Sequence, residues 1–353
     1  MSIPITRSTQ PKPQPNPAQL GFGKYFTDHM FVMENDVEKG WLPGQIVPYA
    51  PITLDPAAMV LHYGQEVFEG LKAYRRPDGR AQLFRPQDNI KRFNRSCVRL
   101  SVPEIDQEYF LNAMKQLVIT DIDWLPSQPE ASLYIRPYLV ASDPFLGVRR
   151  SERYIFIIIL SPVGAYYPGG ITPTKILIEG EDVRAASGGL GSVKAGANYA
   201  ATLRAQTRAS QKGFAQVMWL DSHERKYVEE VGTSNAFFVI DDKVVTPSLT
   251  DTILPGITRD SCIQLLRKWG LEVQERAVSI DEVWETHENG KLSECFATGT
   301  AAVVSPVGEL FYRDKSIKIG NNEVGPVARR LYDALTDIQW GRKPDDMGWT
   351  ITL

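Results

Sequence analysis

The chain has 353 residues, 43% of them hydrophobic and 23% charged, with a formal net charge of −3. At about 100–200 residues per domain the length predicts two domains, each able to bury a core without staples, and the near-neutral balance argues against nucleic acid or an anionic membrane as main partner. The three dispersed cysteines (Cys97, Cys262, Cys295) form no C-x-x-C and the four histidines no metal-ligand spacing, which excludes a disulfide scaffold, a zinc ribbon and the common metal motifs.

The first twenty residues hold five prolines (Pro4, Pro11, Pro13, Pro15, Pro17) and no apolar h-region. They do not read as a secretory signal, and the spaced prolines argue against an amphipathic presequence. Residues 1–20 are expected to form a flexible or surface-draped arm. Strands are predicted at Gly21–Met33 and Gly44–Pro51, and helices at Asp55–Leu61 and Gln87–Leu100. Another helix is predicted at Asp106–Thr120, where Tyr109, Phe110, Ala113, Met114 and Leu117 recur at helical spacing. Ser132–Ala141 and Arg153–Leu160 read as strands. The apolar run Tyr154–Leu160 is too short to span a bilayer. Ser161–Pro173, with three prolines and three glycines, marks a break.

Beyond the break the pattern is again α/β. A helix at Asn198–Lys212 is closed by Gly213, and strands follow at Gln216–Leu220 and Ala236–Ile240. A helix at Thr258–Trp269 has Thr258 as its expected N-cap and Gly270 beyond its end. Ser279-Ile-Asp-Glu282 opens another helix with a capping box. The expected division is an arm at 1–20, a small α/β domain at 21–165, a linker at 166–175 and a large α/β domain at 176–353.

Several segments could carry chemistry. Gly188–Tyr199 (GGLGSVKAGANY) brackets Lys194 with small residues but matches neither a Walker A loop nor G-x-G-x-x-G. A desolvated amine there could form a Schiff base, and a solvated loop lysine is the alternative. Glu230 precedes a Gly-Thr turn and an apolar strand. It could face a pyridine nitrogen or simply end a strand beside Glu229. Leu254-Pro-Gly-Ile-Thr-Arg259 and Gly299-Thr-Ala301 place glycine, hydroxyl and free N–H groups where an anion could sit. Arg92 shares a helix with Arg95 and Arg99, either as a solvated face or reaching a phosphate. Tyr134 and Arg136 share a strand face, either as edge surface or as a carboxylate trap.

Together these segments resemble a known family. Glu230-x-Gly-x-x-Asn235-x-Phe237, Val244-x-Thr246 and Leu254-x-Gly256-Ile257-x-Arg259 are similar in order and spacing to the class IV aminotransferase signature. In the first half, Phe26-Thr-Asp-His-Met30, Leu61-His-Tyr63, Phe68-Glu-Gly70-Leu-Lys72, Leu83-Phe-Arg-Pro86 and Gly164-Ala-Tyr166 resemble the branched-chain amino acid aminotransferases in particular. The resemblance runs from about residue 21 to about residue 340.

It implies a two-domain, mixed α+β, fold-type IV enzyme like D-amino acid aminotransferase, with pyridoxal 5′-phosphate between the domains. Lys194 matches the lysine that forms the Schiff base and moves the substrate proton. Glu230 matches the carboxylate on the pyridine nitrogen, and Tyr199 the phenol on the ring oxygen. Arg92, Ile257, Thr258 and Thr300 match phosphate ligands, with Thr233 and Gly256 also at the cofactor. Phe26, Tyr63, Phe68, Tyr166 and Thr233 match substrate walls. Thr300 and Ala301 match the turn that holds the substrate carboxylate. Arg136, backed by Tyr134, matches the acceptor of the glutamate side chain. Leu146 and Val148 match a loop reaching the partner subunit's pocket.

The implied reaction moves the amino group of L-leucine, L-isoleucine or L-valine to 2-oxoglutarate by a ping-pong route, in a cytoplasmic homodimer acting on small molecules, with neither nucleic acid nor membrane as partner. D-amino acid aminotransferase, aminodeoxychorismate lyase and a non-catalytic small-ligand binder are the alternatives. One departure stands out. Where some animal relatives carry a C-x-x-C pair after the Gly-Thr-Ala turn, this chain has Ala302 and Ser305, so thiol control there is expected to be absent.

Overall fold

A computed structural model of the chain describes residues 2–166 and 170–353. The chain divides into two compact units. The first takes the chain up to Tyr166, then Lys194–Gly196 and Asp337–Leu353, and the second takes the stretch up to Val193 and Ala197–Thr336. The C-terminal seventeen residues therefore leave the large domain expected at 176–353. Their strand Thr350–Thr352 pairs antiparallel with Gln82–Phe84 of the first unit. Of the linker expected at 166–175, residues 174–175 already lie in a strand, and residues 167–169 lie outside the described residues.

In the first unit the elements are β1 (His29–Asp36), β2 (Gly40–Trp41), β3 (Gln45–Pro48), α1 (Met59–Tyr63), β4 (Glu66–Phe68), β5 (Leu71–Arg75), β6 (Ala81–Phe84), α2 (Pro86–Arg99), α3 (Gln107–Thr120), β7 (Ser132–Ala141) and β8 (Arg153–Val163). Among the described residues they build an antiparallel sheet ordered C-terminal strand–β6–β5–β7–β8–β1–β2, with β3 on β1 and β4 on β7. The alternation of β7 and β8 sets the faces. Leu133, Ile135 and Leu139 on β7, and Phe156, Ile158 and Leu160 on β8, join one core with α2 and α3. Phe93, Phe110 and Phe156 meet edge-to-face within it, at centroid distances of 4.7–5.5 Å. Tyr134 and Arg136 therefore point to the opposite face.

Helix starts follow local chemistry. Pro86 occupies the first position of α2, where its missing N–H costs nothing. The Asp106 carboxylate accepts the Tyr109 N–H and caps α3. The strand expected from Gly21 begins only at His29, because residues 21–28 wind through turns with Gly21 and Gly23 at positive φ.

The N-terminal arm is tied down along the first unit instead of hanging free. Ile3 is buried in the core, and Ile5 bridges Ile46. Thr6 N–H donates to Ile46 O, and Ser8 N–H to Nε2 of His29. His29 Nδ1 lies 2.5 Å from Asp121. Prolines deny the arm a regular ladder, but they do not prevent these separate bonds.

The second unit contains β9 (Thr174–Ile178), α4 (Gly196–Ala200, whose first residue belongs to the first unit), α5 (Leu203–Gln211), β10 (Gln216–Leu220), β11 (Val228–Val231), β12 (Ser234–Ile240), β13 (Lys243–Thr246), α6 (Ile257–Lys268), β14 (Val273–Glu275), α7 (Ile280–Glu288), β15 (Leu292–Gly299), β16 (Val303–Tyr312), β17 (Lys315–Lys318) and α8 (Pro326–Gln339, reaching the first unit at Asp337). The sheet runs β11–β10–β9–β16–β15–β12–β13–β14, with β17 on β16. Because β11 also pairs with β12, the first six strands close on themselves and cover both edges. The single helix expected at Asn198–Lys212 is split at Ala201–Thr202 into α4 and α5. The capping box of α7 forms as expected, with Ser279 Oγ accepting the Glu282 N–H at 3.0 Å.

Candidate active site

Lys194 is held by its backbone. Phe68 N–H donates to Lys194 O at 3.1 Å, and Lys194 N–H donates to Ser96 Oγ at 3.0 Å. Ala195 bridges Val67, and Gly196 N–H donates to Glu66 Oε2 at 2.8 Å. A Cβ on Gly196 would stand 2.2 Å from that oxygen, so a larger residue would displace the Glu66 carboxylate from this bond. The segment thus acts as an added strand on β4. Its lysine Nζ lies 4.6 Å from the centre of the Phe68 ring.

The helix behind it carries two buried stripes. Ile90, Phe93 and Cys97 face the core, while Asn89, Arg92 and Ser96 form the adjacent stripe at the same spacing. Glu69, fully buried, receives Arg92 Nε at 2.6 Å, Arg92 Nη2 at 3.0 Å and Asn89 Nδ2 at 2.8 Å. Burial opposes the charge of Glu69, but the Arg92 guanidinium, Lys194 and Asn89 outweigh it and hold the carboxyl below its ordinary range. Arg92 is therefore no solvated helix charge, whereas Arg95 and Arg99 are exposed. Glu66 shifts the other way: desolvation raises it, against the pull of the Gly196 N–H, Arg136 and Lys194.

Arg136 lies 4.9 Å from the same Phe68 ring and donates to Tyr134 Oη at 3.1 Å. Its Nε is buried with no hydrogen-bond partner, an unspent donor that suits an incoming carboxylate. Of the remaining first-unit candidates, Phe26 stacks on Tyr49 at 5.3 Å. Tyr63 Oη donates to Leu146 O. Leu146, Val148 and Tyr166 are exposed, Val148 at 84%. The structure brings Lys194, Phe68, Tyr134, Arg136 and Arg92 into one cluster, with Phe26, Tyr63, Leu146, Val148 and Tyr166 outside these bonds.

In the second unit Glu230 and Asn235 are direct cross-strand partners of β11 and β12. Glu230 Oε1 accepts the Leu254 N–H at 2.8 Å, and Asn235 Nδ2 donates to Leu254 O at 2.9 Å. The pair clamps the segment that enters α6. Gly256 is the N-cap of that helix, in place of the expected Thr258, which lies buried at its second position. A Cβ on Gly256 would meet Asn235 Oδ1 at 2.0 Å. Gly256, Ile257 and Thr258 thus form the start of α6, where the helix dipole favours phosphate.

Thr233 sits exposed in the β11–β12 turn, Tyr199 is half-buried on α4, and Thr300 and Ala301 form the turn between β15 and β16. Beside that turn, Thr298 Oγ1 is buried without a partner. A cavity of about 320 Å³ in this unit is lined by Asp221, Glu229 and Thr252 but by none of the candidate residues.

Sequence reasoning missed three groups. Glu69 lies within Phe68-Glu-Gly70-Leu-Lys72, and a carboxylate beside apolar residues was its signal. Ser96, and Arg184, whose Nε lies 3.3 Å from Glu230 Oε2, have no sequence signal. The three thiols are buried, and burial pushes each well above its ordinary range. Mild peroxide should therefore leave activity unchanged. Inhibition that dithiothreitol reverses and that maps to a cysteine would contradict this.

The residues fit a pyridoxal phosphate by donor chemistry. In the first unit an amine suits its aldehyde and a buried guanidinium suits phosphate; in the second, taken by itself, a buried carboxylate suits a pyridine nitrogen and a helix start suits phosphate. Residues 66–310 match the model of the family Amino-transferase class IV, and the chain belongs to this family, with its mixed α/β fold. It is 54% identical over 348 residues to branched-chain-amino-acid aminotransferase 2 of Bacillus subtilis (strain 168), covering 99% of this chain and 95% of that one. It is 52% identical to a probable branched-chain-amino-acid aminotransferase of Staphylococcus aureus (strain N315), over 100% and 98% of the two chains. Among solved structures, the branched-chain amino acid aminotransferase of Escherichia coli aligns with a TM-score of 0.77 at 27% identity, covering 91% of this chain and 98% of that one. The branched-chain amino acid aminotransferase of T.th., in complex with N-(5′-phosphopyridoxyl)-L-glutamate, aligns with a TM-score of 0.75 at 28% identity, covering 91% and 97%.

Proposed function

We propose that this enzyme transfers the amino group of L-leucine, L-isoleucine or L-valine to 2-oxoglutarate in two half-reactions that use one pocket in turn. The observation that carries this reading is a shared ring. The Lys194 amine and the Arg136 guanidinium both lie within 5 Å of the centre of Phe68. An amino acid whose α-carbon reaches Lys194 can lay an aliphatic side chain along Phe68. A glutamate there would extend its carboxylate to the unspent Nε of Arg136.

Bound pyridoxal 5′-phosphate supplies the carbonyl that exchanges amino groups and the electron-accepting ring. Lys194 Nζ takes and returns the proton at the substrate α-carbon. Glu230, beside Arg184 and the Leu254 N–H, is the carboxylate that would face the ring nitrogen. By the family resemblance Arg92 and the start of α6 would bind phosphate, and the Thr300–Ala301 turn would bind the α-carboxylate. The exposed Leu146 and Val148 are the surface that a second copy would cover in the proposed homodimer.

The test is a substrate profile of the purified enzyme with pyridoxal 5′-phosphate and 2-oxoglutarate. Leucine, isoleucine and valine should be turned over with kcat/KM values within about 200-fold of one another, since one methylene costs about 1–3 kcal/mol. D-alanine as the preferred donor, or release of pyruvate from an aminodeoxychorismate substrate, would overturn the reading.

A further inference from the structure

We propose that Lys12, carried by the proline-rich arm, is a positioning residue for Phe26, which the family resemblance implies as a substrate wall; this rests on that role of Phe26 and on the function proposed above. The Lys12 ammonium donates to two successive carbonyls, Phe26 O at 3.2 Å and Thr27 O at 2.7 Å. Its backbone N–H donates to Asp28 Oδ1 at 2.7 Å. The same ammonium stands 4.0 Å over the ring of Tyr49, and Tyr49 stacks on Phe26 with an interplanar angle of 15°. One cation therefore grips the Phe26 segment from two sides, through its backbone and through the ring that backs its side chain.

The segment needs such a grip. Phe26 lies before β1 begins at His29, so no sheet ladder fixes it. Among the described residues, neighbouring anchors reach Thr27, whose N–H donates to Leu160 O, and Asp28, whose Oδ2 accepts Trp124 Nε1. The prolines acquire a role in this arrangement. Pro11 and Pro13 flank Lys12 and confine it to extended backbone, so the arm presents its lysine with little conformational freedom to lose. Partial burial pushes the Lys12 ammonium below its ordinary range, against the pull of Asp28 and Asp121, as expected for a group that works against protein rather than in open water.

An aliphatic substrate depends on the apolar wall more than glutamate does, because glutamate has Arg136. Loosening Phe26 should therefore separate the two substrates. Lys12→Met in the full-length holoenzyme should raise KM for leucine about tenfold, the worth of one charge-assisted hydrogen bond. KM for glutamate should change less than about twofold, and kcat and the cofactor absorbance should stay as in the wild type. Lys12→Arg, which keeps the donors and the charge, should restore most of the leucine KM. If Lys12→Met lowers the melting temperature too far for kinetics, Tyr49→Leu removes the shared ring and should give the same split.

An unchanged leucine KM, or equal losses for both substrates, overturns the role of Lys12 and leaves the proposed function standing. Failure of the wild type to turn over leucine overturns both.

Discussion

Lys194→Ala is expected to remove turnover and the visible absorbance of the bound cofactor while leaving the fold intact. The expectation for folding comes from how the residue is held. Four bonds that fix its position use its backbone or its neighbours: the Phe68 N–H, the Ser96 hydroxyl, the Val67–Ala195 bridge and the Glu66–Gly196 contact. Alanine keeps every one of them. What it removes is the amine over Phe68, which ties the cofactor and carries the α-proton. Proton transfer alone accounts for about 10²–10⁴-fold in rate. Circular dichroism and a melting curve like those of the wild type, with leucine turnover lost, are the expected pair of results. Turnover at the wild-type rate would sink the assignment of Lys194 and with it the proposed reaction.

Glu69→Gln should be the most destabilising single change in the first unit's site. It leaves the Arg92 guanidinium buried beside a neutral amide, and breaking a buried pair by removing one partner costs about 3–5 kcal/mol. Arg92 should also lose its orientation, so the affinity for pyridoxal 5′-phosphate should fall. The pH dependence has a defined sign. Glu69 is held below its ordinary range in the folded chain, so its contribution is fully present above about pH 4.3, the unfolded value. It is lost as pH falls through the lower folded value. The stability gap between wild type and Glu69→Gln in urea should therefore stay constant from pH 8 to about pH 5.5 and shrink only in stronger acid. A gap that already closes between pH 8 and pH 6 would show that another group sets it.

Much of the site's chemistry could be read from residues in local order. The spacing from Glu230 to Arg259, the lysine among small residues and the alternation of Tyr134 and Arg136 are local patterns, and local backbone geometry turns them into a hairpin, a helix start and a strand face. The capping box at Ser279 and the strand limits at Ser132–Ala141 were legible for the same reason. Neighbours decided two local expectations. The arm was expected to be flexible or surface-draped, and Ile46, His29, Phe26 and Asp28 supply the separate partners that drape it along the first unit. Thr258 was expected to cap α6, but the Asn235–Leu254–Glu230 clamp brings the chain in two residues earlier, and Gly256 takes that position.

The dispersed cysteines and histidines already excluded a disulfide scaffold and the common metal motifs, because side-chain inventory limits which reactive groups a chain can supply, and only the family resemblance implied an organic cofactor on Lys194. Amino-acid order also determined the faces of each strand and helix, since periods of 2 and 3.6 are properties of the backbone. Only the tertiary structure decided which buried charges meet. Glu69 finds Arg92 from 23 positions away, Ser96 finds Lys194 from 98, and the seventeen C-terminal residues return to the first unit. Such partners are chosen by desolvation: a charge or N–H taken out of water must be answered wherever the chain brings a complement, and that choice depends on distances in space that no local pattern encodes.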